Sequence, residues 1–405
     1  MKLNPIVTSL LETDAYKFSM GNVIFKQFNN YTTTWTFKCR NEDVKFTDEM
    51  VQEIREQFDY YCDLKFTNEE LDWLKTNSPW LSDGYINYLK FWHPVREEVF
   101  INENNIVPYN DCGLAIEAKG TWLNTSMYEI AILQIVNEVY FSFMYDIEEK
   151  ETVFRKNTER KLKDLGSCKY QLGKFSEFGL RRRLSKDSQE WLIQQLVNYQ
   201  ACGFVGTSNV YLAKKYGVKA TGTQAHEFIQ AVGQGNPKHD KSYSNYFSMK
   251  SWTDEYKTLN GIYLTDCITT DCFLKDFDLT FATLFSGVRH DSGDPIEWGE
   301  KIINHYKKLN IDPKTKTLLF SDSLNFEKAS YIYNYFKDKC NVAFGIGTFL
   351  SNDTDVKPLN IVMKITECNG SPVAKISDTQ GKGMCRDNEY VDYLTRCIKW
   401  RMDHE

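Results

Sequence analysis

The chain has 405 residues, 42% of them hydrophobic, and a formal net charge of −6. That length buries a large core, expected as two domains with one of them big. The mild acidity argues against nucleic-acid binding, and no apolar run approaches the roughly 20 residues of a membrane helix. The polar opening through Lys2, Asn4, Pro5, Glu12 and Asp14 is not that of a signal peptide. Eleven cysteines, odd in number and without a C-x-x-C pair, read as free thiols of a reducing compartment. The expected location is cytoplasmic, with nuclear presence as well in a eukaryote.

Residues 1–20 read as an opening helix that carries the polar cluster Thr13, Asp14, Tyr16 and Lys17. Residues 31–40 alternate β-branched and aromatic side chains and predict a strand ending at Arg40. Amphipathic helices follow near 47–60 and 67–76, then strands over Val95 to Ile106 and Leu114 to Lys119. Residues 1–120 are therefore expected to form a mixed α+β domain. Thr125 to Phe143 carries Ile130, Leu133, Val136 and Tyr140 at helical spacing, with Thr125 or Ser126 as the cap.

From about residue 200 the rhythm becomes strand, short polar loop, helix. Phe204-Val205-Gly206 leads into Thr207-Ser208-Asn209 and a helix ending at Gly217. Val218, Ala220 and Thr221 form a short strand, turned at Gly222, before the helix that opens at Ala225-His226-Glu227. Gly261 to Thr265 ends at Asp266, and Thr283 to Val288 ends at Arg289-His290-Asp291, with Pro295 opening the next helix. Thr317 to Phe320 ends at Ser321-Asp322, and Asn341 to Phe344 ends at Gly345-Ile346-Gly347-Thr348. Repeated βα units imply a parallel sheet, and their number favours an irregular barrel over residues 121–350. In a barrel, the residues at strand carboxyl ends meet on one face. The segment 351–405, with a strand and polar turn over Pro372 to Asp378 and a helix through Trp400, is expected to pack back on the N-terminal domain.

A lone histidine at a strand-to-helix junction would be read as a capping or core residue. His226 has company, because four further polar groups end strand-like runs in the same way. Gly345-Ile-Gly347-Thr348 offers backbone N–H groups to a phosphate. Arg289 and Asp291 combine an anion clamp with a carboxylate, which suits a sugar phosphate, a structural salt bridge being the alternative. Asp266 and Asp271 are candidates to add charge for a metal–pyrophosphate complex or to steady an imidazolium. Phe178 beside Arg181, Arg182 and Arg183 provides a face and cations for a planar anionic ring, a basic surface turn being the alternative.

These motifs, taken with Thr13-Asp-Ala-Tyr16-Lys17, Gly206-Thr-Ser208-Asn209 and Leu264-Thr-Asp266, fall in family order along nearly the whole chain. The sequence resembles nicotinate phosphoribosyltransferase, within the type II phosphoribosyltransferases. The resemblance implies that nicotinate and phosphoribosyl pyrophosphate give nicotinate mononucleotide and pyrophosphate, in pyridine nucleotide salvage. ATP, with Mg²⁺, would be hydrolysed in a coupled step through a phosphohistidine at His226. No residue is assigned directly to the metal. By the same resemblance Glu227 is a catalytic neighbour of His226, and Tyr16 and Phe178 sandwich the pyridine ring, Tyr16 coming from a second subunit of a homodimer. Arg181 would face the nicotinate carboxylate or the sugar phosphate. Asp266 and Asp322 would join the substrate site, Arg289 would hold phosphate, Asp291 the ribose hydroxyls, and Gly345, Gly347 and Thr348 the 5′-phosphate. Amide-specific relatives carry an acid where this chain has Ser208, which favours the acid substrate. The alternatives are the same chemistry on nicotinamide or quinolinate, and a ligand-binding relative without turnover.

Overall fold

The computed structural model describes residues 2–103, 106, 108, 111–379 and 383–405. Among them the chain forms strands at Thr32–Cys39 (β1), Val99–Ile101 (β2), Ile116–Thr121 (β3), Lys174–Glu177 (β4), Phe204–Thr207 (β5) and Lys219–Ala220 (β6). Ile262–Leu264 (β7), Gly287–His290 (β8), Thr317–Phe320 (β9), Asn341–Ile346 (β10), Ile361–Cys368 (β11) and Ser371–Pro372 (β12) follow. They make two sheets. The first is antiparallel, in the order β12-β11-β1-β3-β2. The second is parallel, in the order β6-β5-β4-β10-β9-β8-β7.

The parallel sheet is curled. Its two edges are β6 and β7, yet His226, after β6, lies 2.9 Å from Asp266, after β7. Side chains rather than backbone bonds therefore bring the two edges together, giving a half-barrel flanked by helices. One continuous apolar core runs under both sheets, from Ile6 through Tyr128 and Phe175 to Val373. The long helix Tyr128–Met144 sits inside it, buried along most of its length, so its apolar run is that of a core helix. No single described helix is long and apolar enough to cross a membrane.

Several expectations need correction. The opening residues Leu10–Asp14 are turn rather than helix, and the helix starts only at Tyr16. Asp14 instead bridges to Asn209, and Ala15 N donates to Ser208 O at 2.9 Å. The run at Val95–Ile106 is a helical turn at Arg96–Glu98 followed by three strand residues, and its residues 104 and 105 lie outside the described residues. Neither Thr125 nor Ser126 caps the core helix; Thr125 Oγ1 bonds back to Thr121 O within a preceding turn. Thr283 and Leu284 end a helix, and β8 begins only at Gly287.

The C-terminal segment is divided. β11 pairs antiparallel with β1, Trp35 opposite Ile365, in the N-terminal sheet. The last helix, Asn388–His404, packs instead on the parallel unit, with Leu394 and Ile398 against Ile268 and Cys272.

Candidate active site

Six of the seven parallel strands deliver a residue to one mouth, and β7 delivers Asp266 just behind it. The ladder continues past the strand ends, with Phe178 N donating to Ile346 O at 2.8 Å and Ser208 N to Glu177 O at 2.9 Å. Ser321 N reaches His290 O at 3.1 Å. Phe178, Ser208, His226, Arg289, Asp291, Asp322, Gly347 and Thr348 consequently line one cavity of about 870 Å³. Tyr16 and Arg181 complete its wall. Tyr16, expected from a second subunit, stands here in the chain's own cavity. Gly222 does not adopt positive φ; a Cβ there would lie 2.9 Å from Tyr16 N, so the glycine lets the N-terminal segment dock.

His226 opens a helix at Ala225 and is nearly buried. Its Nε2 lies 2.9 Å from Asp266 Oδ1 and 3.8 Å from Asp291 Oδ2. Asp266 is itself held by Lys375 Nζ at 2.7 Å and Ser292 Oγ at 2.5 Å. Burial first, then the Lys375 ammonium, pushes the imidazole down to about 4, against the pull of Asp266 and Asp291. The ring is neutral at pH 7. Because the carboxylates crowd Nε2, that nitrogen carries the proton and donates to Asp266, leaving the lone pair on Nδ1.

Two pH effects follow. If His226 accepts a phosphoryl group, as the resemblance implies, uptake is expected to stay level down to about pH 5, where an unperturbed histidine would fall to half near pH 6.5. Since the folded value lies below the unfolded one, the contribution of His226 to stability is present above about pH 6.5 and is lost as pH falls toward 4. A pH–rate profile of protein labelling by ATP, read beside thermal unfolding, checks both.

His226, Asp266 and Asp291 offer ligand atoms within 4.8 Å of one another. They do not form a metal cage, because both oxygens of Asp266 are already engaged by the imidazole, Ser292 and Lys375. The carboxylates lining the cavity are Asp14, Glu129, Asp291 and Asp322, and the first two are engaged by Arg181. Burial opposes ionisation of Asp291, but the Arg289 guanidinium holds its carboxyl below the usual range.

The cations are divided by their partners. Arg181 Nε bonds Asp14 at 3.0 Å, its Nη1 bonds Glu129 at 3.2 Å, and its Nη2 donates to the Tyr16 hydroxyl. Arg183 turns away into the core, where it meets Glu138 at 2.6 Å and Glu12 at 3.1 Å. Arg289 donates one bond to Thr223 Oγ1 at 2.9 Å, while its buried Nε has no partner among the described residues. Ser208 Oγ is buried without a partner as well. Arg289 is matched electrostatically by Asp291, whose carboxyl it holds ionised.

Two models of known families match the chain. The nicotinate phosphoribosyltransferase (NAPRTase) family model covers residues 173–400, and the N-terminal domain model of the same family covers 11–137. The chain belongs to the nicotinate phosphoribosyltransferase family. It is 40% identical over 405 residues to the nicotinate phosphoribosyltransferase of Chromobacterium violaceum, covering 98% of each chain. Identity to that of Proteus mirabilis is 40% over 400 residues, 97% of this chain and 96% of the relative. Crystal structures of nicotinate phosphoribosyltransferase from Porphyromonas gingivalis and Vibrio cholerae superpose with TM-scores of 0.87 and 0.88, at 33% and 31% identity. They cover 97% and 98% of this chain, and 100% and 96% of their own.

Within this nicotinate phosphoribosyltransferase fold, some expected site residues do not reach the cavity. Glu227 faces the core, bonded by Lys17 at 2.7 Å and Ser126 at 2.5 Å, because consecutive residues of a helix point about 100° apart. Gly345 meets the ring of Phe178, which a Cβ would overlap, so it makes room for the aromatic instead of a phosphate. Asp266 stands behind His226, and Asp271 lies away on the surface with Lys301 at 2.8 Å. The sequence reading gave no site role to the further cavity residues Lys375, Lys364, Lys357, Arg40, Asp14 and Glu129. The signal was there for Lys364, a lysine inside the alternating run Ile361–Ile365, on the face opposite Met363.

Proposed function

We infer that the chain transfers the phosphoribosyl group of phosphoribosyl pyrophosphate to nicotinate, releasing nicotinate mononucleotide and pyrophosphate. Family membership over the full length supports the reaction. The single geometric observation that carries the mechanism is the neutral His226 held by Asp266 at the mouth where Asp291, Arg289 and Phe178 converge.

In this reading ATP phosphorylates His226. Asp266, accepting from Nε2–H, orients the ring so that the Nδ1 lone pair attacks the γ-phosphorus, and it stabilises the imidazolium that forms. Bond formation to Nδ1 accompanies cleavage of the bond to ADP, and water later takes the phosphoryl group. The ribosyl transfer has an oxocarbenium-like transition state, so the Asp291 carboxylate beside the sugar opposes the positive charge that develops. Gly347 and Thr348 suit the 5′-phosphate, and the face of Phe178 with Tyr16 suits the pyridine ring. Magnesium enters as part of the ATP and pyrophosphate substrate complexes, would meet Asp291 and Asp322, and lowers the charge on the leaving group. The same reading includes a homodimer, which rests on the family resemblance alone.

The acid is favoured over the amide. Arg181 and Arg182 bring cations to the cavity wall beside Phe178, and Ser208 places a neutral side chain there instead of an acid, so a carboxylate is drawn and not repelled. A charge-assisted contact of this kind is worth about 1.5–3 kcal/mol, or roughly ten- to a hundred-fold in selectivity. Ser208→Asp is expected to weaken nicotinate and improve nicotinamide. Competition between the two bases at equal concentration measures this, and a wild-type preference for nicotinamide would overturn the substrate assignment.

A further inference from the structure

Among the buried ion pairs that the transfer just described does not use, one joins the starts of two helices that line the cavity. Tyr16 and Lys17 open one helix, and His226 and Glu227 open another. In each pair the first residue lines the cavity and the second turns into the core. The two inward residues meet, Lys17 Nζ to Glu227 Oε2 at 2.7 Å. Lys17 is wholly buried and shared with Glu129 at 2.9 Å, and Glu129 in turn bonds Arg181, which holds the Tyr16 hydroxyl. Lys364 lies 3.7 Å from Glu129. Three carboxylates (Asp14, Glu129, Glu227) thus face three cations (Lys17, Arg181, Lys364), and the cluster is balanced.

We propose that the Lys17–Glu227 pair is a positioning clamp that fixes the start of the Tyr16 helix against the start of the His226 helix, and so sets the width of the base pocket. The proposal rests on the reading of the cavity as a nicotinate and phosphoribosyl pyrophosphate site. Three facts single this pair out from ordinary buried ion pairs. It joins segments 210 positions apart in sequence. Each partner is covalently next to a cavity residue. The chain of contacts through Glu129 also ends on Arg181 and Tyr16, the same wall of the cavity. By contrast, Gly347, Thr348, Asp291 and Arg289 are carried by β8 and β10 and their ends, whereas the polar partners of the pair are Glu129 and Ser126. The clamp should therefore govern the base more than the sugar phosphate.

Removing one partner strands a buried charge and destabilises, whereas replacing both with apolar groups of similar volume is often neutral. Lys17→Met with Glu227→Met leaves Asp14 and Glu129 balanced by Arg181 and Lys364. Purified full-length double variant is compared with wild type for Tm and for steady-state KM values in a pyrophosphate-release assay. The expected result is a Tm near that of wild type, a nicotinate KM raised roughly tenfold or more, and a phosphoribosyl pyrophosphate KM within about threefold. If the double variant does not recover its Tm, Glu227→Gln, which keeps the shape and an acceptor for Lys17, is read for the same split. Unchanged KM values, or both rising together, in a variant with wild-type Tm would overturn the clamp. Wild-type protein that releases no pyrophosphate with nicotinate would instead overturn the functional reading, and the clamp with it.

Discussion

His226→Ala is expected to take up no label from ATP labelled in its γ-phosphate, while wild type carries an acid-labile, base-stable phosphate. The expectation comes from position as much as residue type. The imidazole is buried, neutral and oriented through Nε2 by Asp266 at 2.9 Å, and its helix start opens onto the cavity. None of the other cavity-lining side chains is an imidazole. His290, though next to Asp291, donates from Nε2 to Gly293 O at 3.2 Å and packs on Trp298. Labelling of His226→Ala equal to that of wild type would move the phosphoryl acceptor elsewhere. Asp266→Asn, which keeps the shape but not the charge, is expected to slow labelling without abolishing it.

Asp291→Asn is expected to lower turnover on the order of 10²-fold or more, with a smaller change in KM for phosphoribosyl pyrophosphate. The carboxylate faces the cavity and is kept ionised by Arg289 against its burial. A negative group there stabilises charge that exists only as the ribosyl–pyrophosphate bond breaks, so its removal acts on turnover before binding. Steady-state kinetics of the variant decide the point. A higher KM with unchanged turnover would reduce Asp291 to a binding contact.

Much of this was legible in the sequence where local pattern and tertiary role coincide. The parallel strands that end at Ser208, Asp266, Asp291, Asp322 and Gly347 are short apolar runs closed by polar residues, and their carboxyl ends share a face by topology alone. What was hidden depends on direction. His226 and Glu227 look equivalent as letters, and only the helix start sends one to the cavity and the other to Lys17. Arg181, Arg182 and Arg183 read as one basic cluster, but Arg183 is spent on Glu12 and Glu138, while Arg181 is matched by Asp14 and Glu129. Such pairings join residues far apart in the chain, which periodicity does not report. β11 was missed for a related reason: its partner is β1, more than 300 positions earlier, and with it went Lys364.

The most direct measurement is nicotinate-dependent release of pyrophosphate from phosphoribosyl pyrophosphate by the purified full-length protein, run with and without ATP and with nicotinamide as the comparison base. Release is predicted with nicotinate, stronger when ATP is present, and at least about tenfold weaker with nicotinamide at equal concentration. No release with nicotinate, or equal release with the amide, would contradict the assignment.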